Sequence, residues 1–213
     1  MISNIKRLFG EEFNSLLFLN LLTVALMLPI ITIGPAVLAL NGTLIKILND
    51  TCARKRIGEY WGLFKKKFWK GVLLELGVGS YGAILLWCAS VADQQNERGV
   101  VLWAITVLMG FLASLASICV CQILAATELR FIDALWNGIC LTLGRLPQVL
   151  LAALGTYGAL VICYLLYPVS ILPLAVILLS AMAALSVSVL FPSIKELVMD
   201  ASPEETQDDK NNE

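Results

Sequence analysis

The chain contains no histidine, and only 15% of its 213 residues are charged. The first absence removes His-ligated zinc, most haem ligation and histidine proton relays. It also removes the commonest general base, and no Gly-x-Ser-x-Gly elbow is present to offer a nucleophile. The second absence is distributed in long tracts. Phe13 to Ile45, Leu76 to Ala92, Gly99 to Thr127 and Leu146 to Ile194 contain no Asp, Glu, Lys or Arg. About 20 apolar residues of helix cross the hydrocarbon core of a bilayer, so the last tract alone holds two passes. No basic soluble domain remains to bind nucleic acid, and no cofactor is expected.

What is present is 59% hydrophobic. The pattern predicts an all-α, polytopic transmembrane helical bundle, with residues 1–200 as a single integral membrane domain. Residues 201–213 form an acidic tail whose composition predicts disorder. There are six cysteines, of which Cys88, Cys119, Cys121 and Cys163 lie in apolar tracts and read as small packing residues. Cys119 and Cys121 point about 200° apart on a helix and cannot chelate one metal together. Lys6 and Arg7 precede the first apolar tract, which reads as a retained helix rather than a cleaved signal.

Charge decides the number of passes. Val72–Ala92, Val100–Ala125, Leu146–Tyr167 and Ile171–Phe191 read directly as spans. The tract from Phe13 is too long for one helix, and Gly34-Pro35 is the expected break, since proline cannot donate to the helix ladder. A tight hairpin, with Leu16–Ile33 going out and Pro35–Leu48 returning, gives six membrane segments with both termini cytoplasmic. Fourteen of the 15 basic residues then lie inside and only Arg98 outside, as basic loops prefer. The weak point is the returning arm, which reaches only about 21 Å and reads as partly re-entrant.

Three amphipathic elbows are expected ahead of the hairpins. In the clearest, Glu59 to Lys70, the residues Tyr60, Trp61, Leu63, Phe64 and Phe68 share one broad face. Lys65, Lys66 and Lys70 lie off that face and Lys67 at its edge. Such a segment lies among lipid headgroups, aromatics inward and lysines toward anionic lipid, or else it docks a cytosolic partner. Ile132, Leu135, Trp136, Ile139 and Leu143 form a second elbow, with Asp133 and Asn137 on its polar side. Ile5, Leu8 and Phe9 hint at a third. Gly79-Ser80-Tyr81-Gly82-Ala83 recurs as Gly155-Thr156-Tyr157-Gly158-Ala159, either by chance or as the trace of a duplicated unit.

The Gly77 to Gly82 match to G-x-G-x-x-G sits inside a membrane helix, where no dinucleotide fold can form. Small residues four apart instead predict helix-packing seams, at Gly79/Ala83, Gly155/Ala159, Gly110/Ser114 and Ser180/Ala184/Ser188. Glu75 is the one carboxylate set well inside a predicted span. It is a candidate intramembrane polar site for transport, or a group near the inner interface paired with a lysine.

The segment Leu28-Pro29-Ile30-Ile31-Thr32-Ile33-Gly34-Pro35-Ala36 resembles the signature of the YesL-like family of bacterial integral membrane proteins, a domain of unknown function. Arg54-Lys55-Arg56, Gly58-Glu59 and Phe64-Lys65-Lys66-Lys67-Phe68 resemble the basic and aromatic-lysine elements that follow it. Lys67 departs from the family's usual Asn, and Ile57 splits the usual Arg-Gly-Glu. The resemblance implies a bacterial plasma-membrane protein that is an accessory to carbohydrate uptake, with sugar ABC-transporter permease subunits as candidate partners and no catalytic residues. An autonomous carrier for a small solute, using the broken hairpin and Glu75, is the second reading.

Overall fold

The computed structural model describes residues 13–48, 56–93, 96–165 and 171–196. These form seven α-helices: α1 (Phe13–Leu26), α2 (Ile33–Leu48), α3 (Arg56–Asp93), α4 (Asn96–Ala126), α5 (Phe131–Gly144), α6 (Leu146–Leu165) and α7 (Ile171–Ile194). A single 3-10 turn, Ile30–Thr32, joins α1 to α2, and no strand occurs among the described residues. The all-helical expectation holds. Lys6, Arg7, the elbow at Ile5 to Phe9, the stretch around Cys52, Arg54 and Lys55, and the acidic tail lie outside the described residues.

The first hairpin breaks at Pro29 and not at Gly34-Pro35. Pro29, extended at φ −77° and ψ 126°, ends α1 and disfavours helix at Leu28. The Thr32 hydroxyl closes the corner by donating to the carbonyls of Leu26 and Pro29. Gly34-Pro35 lies instead within the first turn of α2. A first-turn proline has no intrahelical acceptor to lose, so Pro35 starts a helix where an interior proline would break one.

The elbow expected at Glu59 to Lys70 is likewise not a separate element. It is the N-terminal part of α3, which runs without interruption for 38 residues, about 57 Å. Nothing between Lys70 and Val72 interrupts helix, and Gly71 costs only about 1 kcal/mol of propensity there. A true elbow forms later. Across Arg145, the axis of α5 turns by 102° into α6.

Among the described residues helix occupies most of each of the six expected membrane segments, but fewer satisfy length and apolarity. Among the described residues three stretches do so: Ile30–Leu48, Arg56–Val91 and Gly99–Ala126. A fourth is added if the bent α5–α6 pair is taken as one span. The buried core lies where α1, α2 and the C-terminal part of α7 meet the first half of α3 and the second half of α4. Leu19, Leu38, Leu44, Tyr60, Leu115, Ile123, Leu190 and Ile194 fill it. Beyond that body α3 and α4 continue as a pair, and their outer surfaces carry exposed Leu76, Val78, Leu86, Trp87, Val101 and Ile105.

Candidate functional site

The signature segment and Glu75 meet at one crossing. α2 runs antiparallel to α3, and Gly34 abuts Gly71 so closely that neither position has room for a side chain. A Cβ on Gly71 would lie 2.5 Å from Pro35 Cα and 2.8 Å from the Gly34 carbonyl carbon. One turn along α3, Glu75 Oε2 accepts the backbone N–H of Gly34 at 3.0 Å. That N–H belongs to the first turn of α2, where no intrahelical acceptor exists and the helix dipole favours an anion. Within the Thr32-Ile33-Gly34-Pro35-Ala36 run, each residue type has a local reason. Thr32 closes the corner, Gly34 permits the crossing, Pro35 fits the first turn, and Ala36 is fully buried and gives its carbonyl to the Tyr60 hydroxyl at 3.3 Å.

The lysine-rich half of α3 divides between two faces. Trp61, Lys65, Lys66 and Trp69 are exposed on the outer face, and Lys65 Nζ lies 5.4 Å from the centre of the Trp61 ring. Trp61 also stacks on Phe64, and Phe64 meets Phe68 edge-on. Lys67, expected at the border of the apolar face, is 2% exposed. Its ammonium donates to the carbonyls of Leu124 (2.7 Å), Ala125 (2.7 Å) and Thr127 (3.2 Å). Lys70 donates to the carbonyls of Glu128 and Leu129. Together they close the C-terminus of α4, whose last carbonyls lack helical partners and whose dipole favours cations. The spacing Tyr60, Leu63, Lys67, Gly71 held the signal, because all four share the buried face.

Glu128 faces this cluster from the end of α4. Its carboxylate meets Lys66 at 3.1 Å and lies 3.9 Å from Lys67. Burial pushes the carboxyl up, but the Lys66 hydrogen bond and the charges of Lys67, Lys66 and Lys70 more than reverse this. Glu128 therefore sits below the ordinary carboxylate range. On the opposite flank Lys46 of α2 pairs with Glu59 of α3 at 2.6 Å.

A chain of neutral polar groups, which sequence reasoning missed, crosses the core. The Gln122 amide donates to Asn41 Oδ1 at 3.2 Å and to the Ser186 hydroxyl at 3.0 Å, tying α4 to α2 and α7. Asn41 in turn donates to Cys121 Sγ at 3.5 Å. Thr23 lies 3.1 Å from the Tyr60 hydroxyl, linking α1 to α3. Gln122 Oε1 and Ser188 Oγ are buried without a partner. Thr23, Gln122, Ser186 and Ser188 are each flanked by apolar neighbours in sequence, so no local pattern marks them.

In three of the four expected packing seams, described residues pack against other helices of this chain. Gly110 faces Leu85, Gly155 faces Leu185, and Ala184 and Ser188 are buried. The fourth is open. Gly79 and Ala83 are exposed on α3, with no atom within 4 Å of a Cβ built at Gly79, Gly77 or Gly82. Exposed Leu76, Leu86 and Trp87 border this shallow groove. The second amphipathic segment, α5, buries Leu141 and the smaller Ala134, Gly138 and Thr142, with Gly138 against Val120. Its bulky residues Ile132, Leu135, Trp136, Ile139 and Leu143 face outward.

Residues 16–87 match a family model described as "Protein of unknown function, DUF624". The match takes in the α1–α2 hairpin, its crossing with α3, the lysine-rich stretch and the Gly79/Ala83 groove. No curated protein and no solved structure matches the chain. Several long apolar helices and a domain of unknown function are thus what fold and comparison establish together.

Proposed function

We propose that this is a non-enzymatic protein of the bacterial plasma membrane that acts as an accessory partner of a carbohydrate transporter. The observation that carries the reading is the open Gly79/Ala83 groove. Small residues four apart let helices approach closely, and Gly79 and Ala83 are exposed with no helix of this chain against them, unlike Gly110, Gly155, Ala184 and Ser188. The proposed occupant is a transmembrane helix of a sugar ABC-transporter permease subunit. The resemblance of Leu28 to Ala36 to YesL-like proteins supports that partner class, and the charge distribution supports cytoplasmic termini. The exposed Lys65 and Lys66, beside Trp61 and Trp69, suit anionic lipid at the inner face.

The carrier alternative relied on the broken first hairpin and on Glu75 as an intramembrane polar group. In the fold Glu75 is occupied by the Gly34 N–H, a structural use that leaves the carrier reading with less support. A photo-crosslinking side chain placed at Ala83 in native membranes tests the proposal. An adduct with a permease subunit is expected at Ala83 and not at Ile105, exposed on α4. Protein adducts absent from Ala83, or equal at both positions, would overturn it.

A further inference from the structure

The α1–α2 hairpin is matched in register to the half of α3 that carries the lysines. Gly34 meets Gly71, Gly42 meets Leu63, and Lys46 meets Glu59. The whole length of α2 therefore lies beside residues 59–71 of α3. The apolar, charge-free remainder of α3, from Leu76 to Ala92, continues past the tip of the hairpin. At about 57 Å, α3 is nearly twice the thickness of a hydrocarbon core of about 30 Å, so a bilayer covers one half or the other.

Length and apolarity alone admit Ile30–Leu48 as a span. Its neighbours oppose this. A bilayer centred on α2 would place exposed Lys65 and Lys66 in mid-membrane, at about 2.5–3.5 kcal/mol each. It would also leave exposed Leu76, Val78, Ile84, Leu86 and Trp87 in water. Tryptophan marks the better placement, since its ring prefers the headgroup level. Trp69 (76% exposed) and Trp87 (69% exposed) stand on α3 about 27 Å apart. A bilayer bounded by them buries the apolar half of α3 and leaves Lys65 and Lys66 among headgroups.

In that frame the tip of the hairpin reaches only the inner leaflet. Leu28 (84% exposed), Ile30 (79%) and Ile31 stand out from it, at the level where Gly34 touches Gly71 and Glu75. This apolar tip is continuous with the lipid-facing positions Leu73 and Leu76 of α3. We propose that the α1–α2 hairpin is a re-entrant wedge, entering the inner leaflet from the cytoplasmic side and returning, with anionic phospholipid as its partner. The Gly34–Gly71 crossing fixes its depth, and Lys65 and Lys66 contact the phosphates beside it. This replaces two of the six expected crossings and leaves both termini on the cytoplasmic side. It does not depend on the proposed transporter partner.

The test compares Ile31→Cys and Ser90→Cys, both at exposed positions, with the parent protein as background for its native cysteines. A membrane-impermeant maleimide is applied to the outer face of intact cells and to the inner face in inverted vesicles. Residue 31 is expected to react faster from the inner face, and residue 90 faster from the outer face. Faster reaction of residue 31 from the outer face would overturn the wedge and restore two full crossings. Ile30→Cys serves as a second variant at the tip should Ile31→Cys fail to accumulate.

Discussion

Gly71→Ala is the smallest change that strikes the contact organising the fold. The added methyl would lie 2.5 Å from Pro35 Cα and 2.8 Å from the Gly34 carbonyl carbon, both backbone atoms. Ordinary contacts need at least about 3.4 Å, so the two helices must separate by roughly 1 Å, and overpacking of this kind costs about 1–3 kcal/mol. The same separation stretches the 3.0 Å bond from Gly34 N–H to Glu75. A hydrogen bond to a charged group contributes about 1.5–3 kcal/mol, and Glu75 is only half-buried, so about 1 kcal/mol is the fair addition. The sum, about 2–4 kcal/mol, corresponds to roughly 4–16 °C in melting temperature for a chain of this size. Gly77→Ala is the control, because its Cβ would meet open space and alanine is favoured over glycine inside a helix by about 0.5–1 kcal/mol. Melting in mild detergent, followed by size-exclusion chromatography of heated samples, reads both variants. Equal melting temperatures for Gly71→Ala and the parent would refute the crossing.

Lys67→Met leaves the carbonyls of Leu124, Ala125 and Thr127 without their donor. A loss of about 1–3 kcal/mol is expected in the same melting assay, against about 0–1 kcal/mol for Lys66→Met, whose ion pair is exposed. Glu75→Leu removes the acceptor of the Gly34 N–H and costs about 1–3 kcal/mol, whereas Glu75→Gln keeps an acceptor and costs less. Solute flux in proteoliposomes that vanishes with Glu75→Gln while the protein stays folded would return the carrier reading to first place. For Glu128, whose carboxyl is held low in the fold, the paired form is stabilising above the ordinary carboxylate range. That stabilisation is lost as pH falls through its lowered folded value. A Glu128→Gln variant should therefore show a shallower acid limb in a melting-temperature–pH profile, and an unchanged limb would exclude Glu128 as a contributor.

The all-helical class and the long apolar helices were legible because both are written in long, redundant patterns. The tract from Leu146 to Ile194 needs no tertiary information to be read as apolar helix. Gly34-Pro35 was expected as a break because Pro29 and Pro35 look alike locally. Only knowing where α2 begins separates a breaker from a first-turn proline. The segment Glu59 to Lys70 was expected as a separate elbow because amphipathicity implies a lipid surface and a protein surface equally well. Here the apolar side faces α2 and the end of α4, which a single helix cannot reveal. Glu75 was singled out for its position, but its partner, Gly34, is 41 residues away and invisible to local pattern. The same distance effect hid the bonds from Gln122 to Asn41 and Ser186.

The most direct test of the central claim is purification of the tagged protein from its native membranes in mild detergent, with quantitative mass spectrometry, beside a Gly79→Leu variant. Gly79 faces open space, so the variant should fold and accumulate like the parent. Stoichiometric recovery of a sugar-permease subunit is expected with the parent, and its loss with Gly79→Leu. Recovery of the parent protein alone, or equal recovery of the subunit with both, would contradict the proposal.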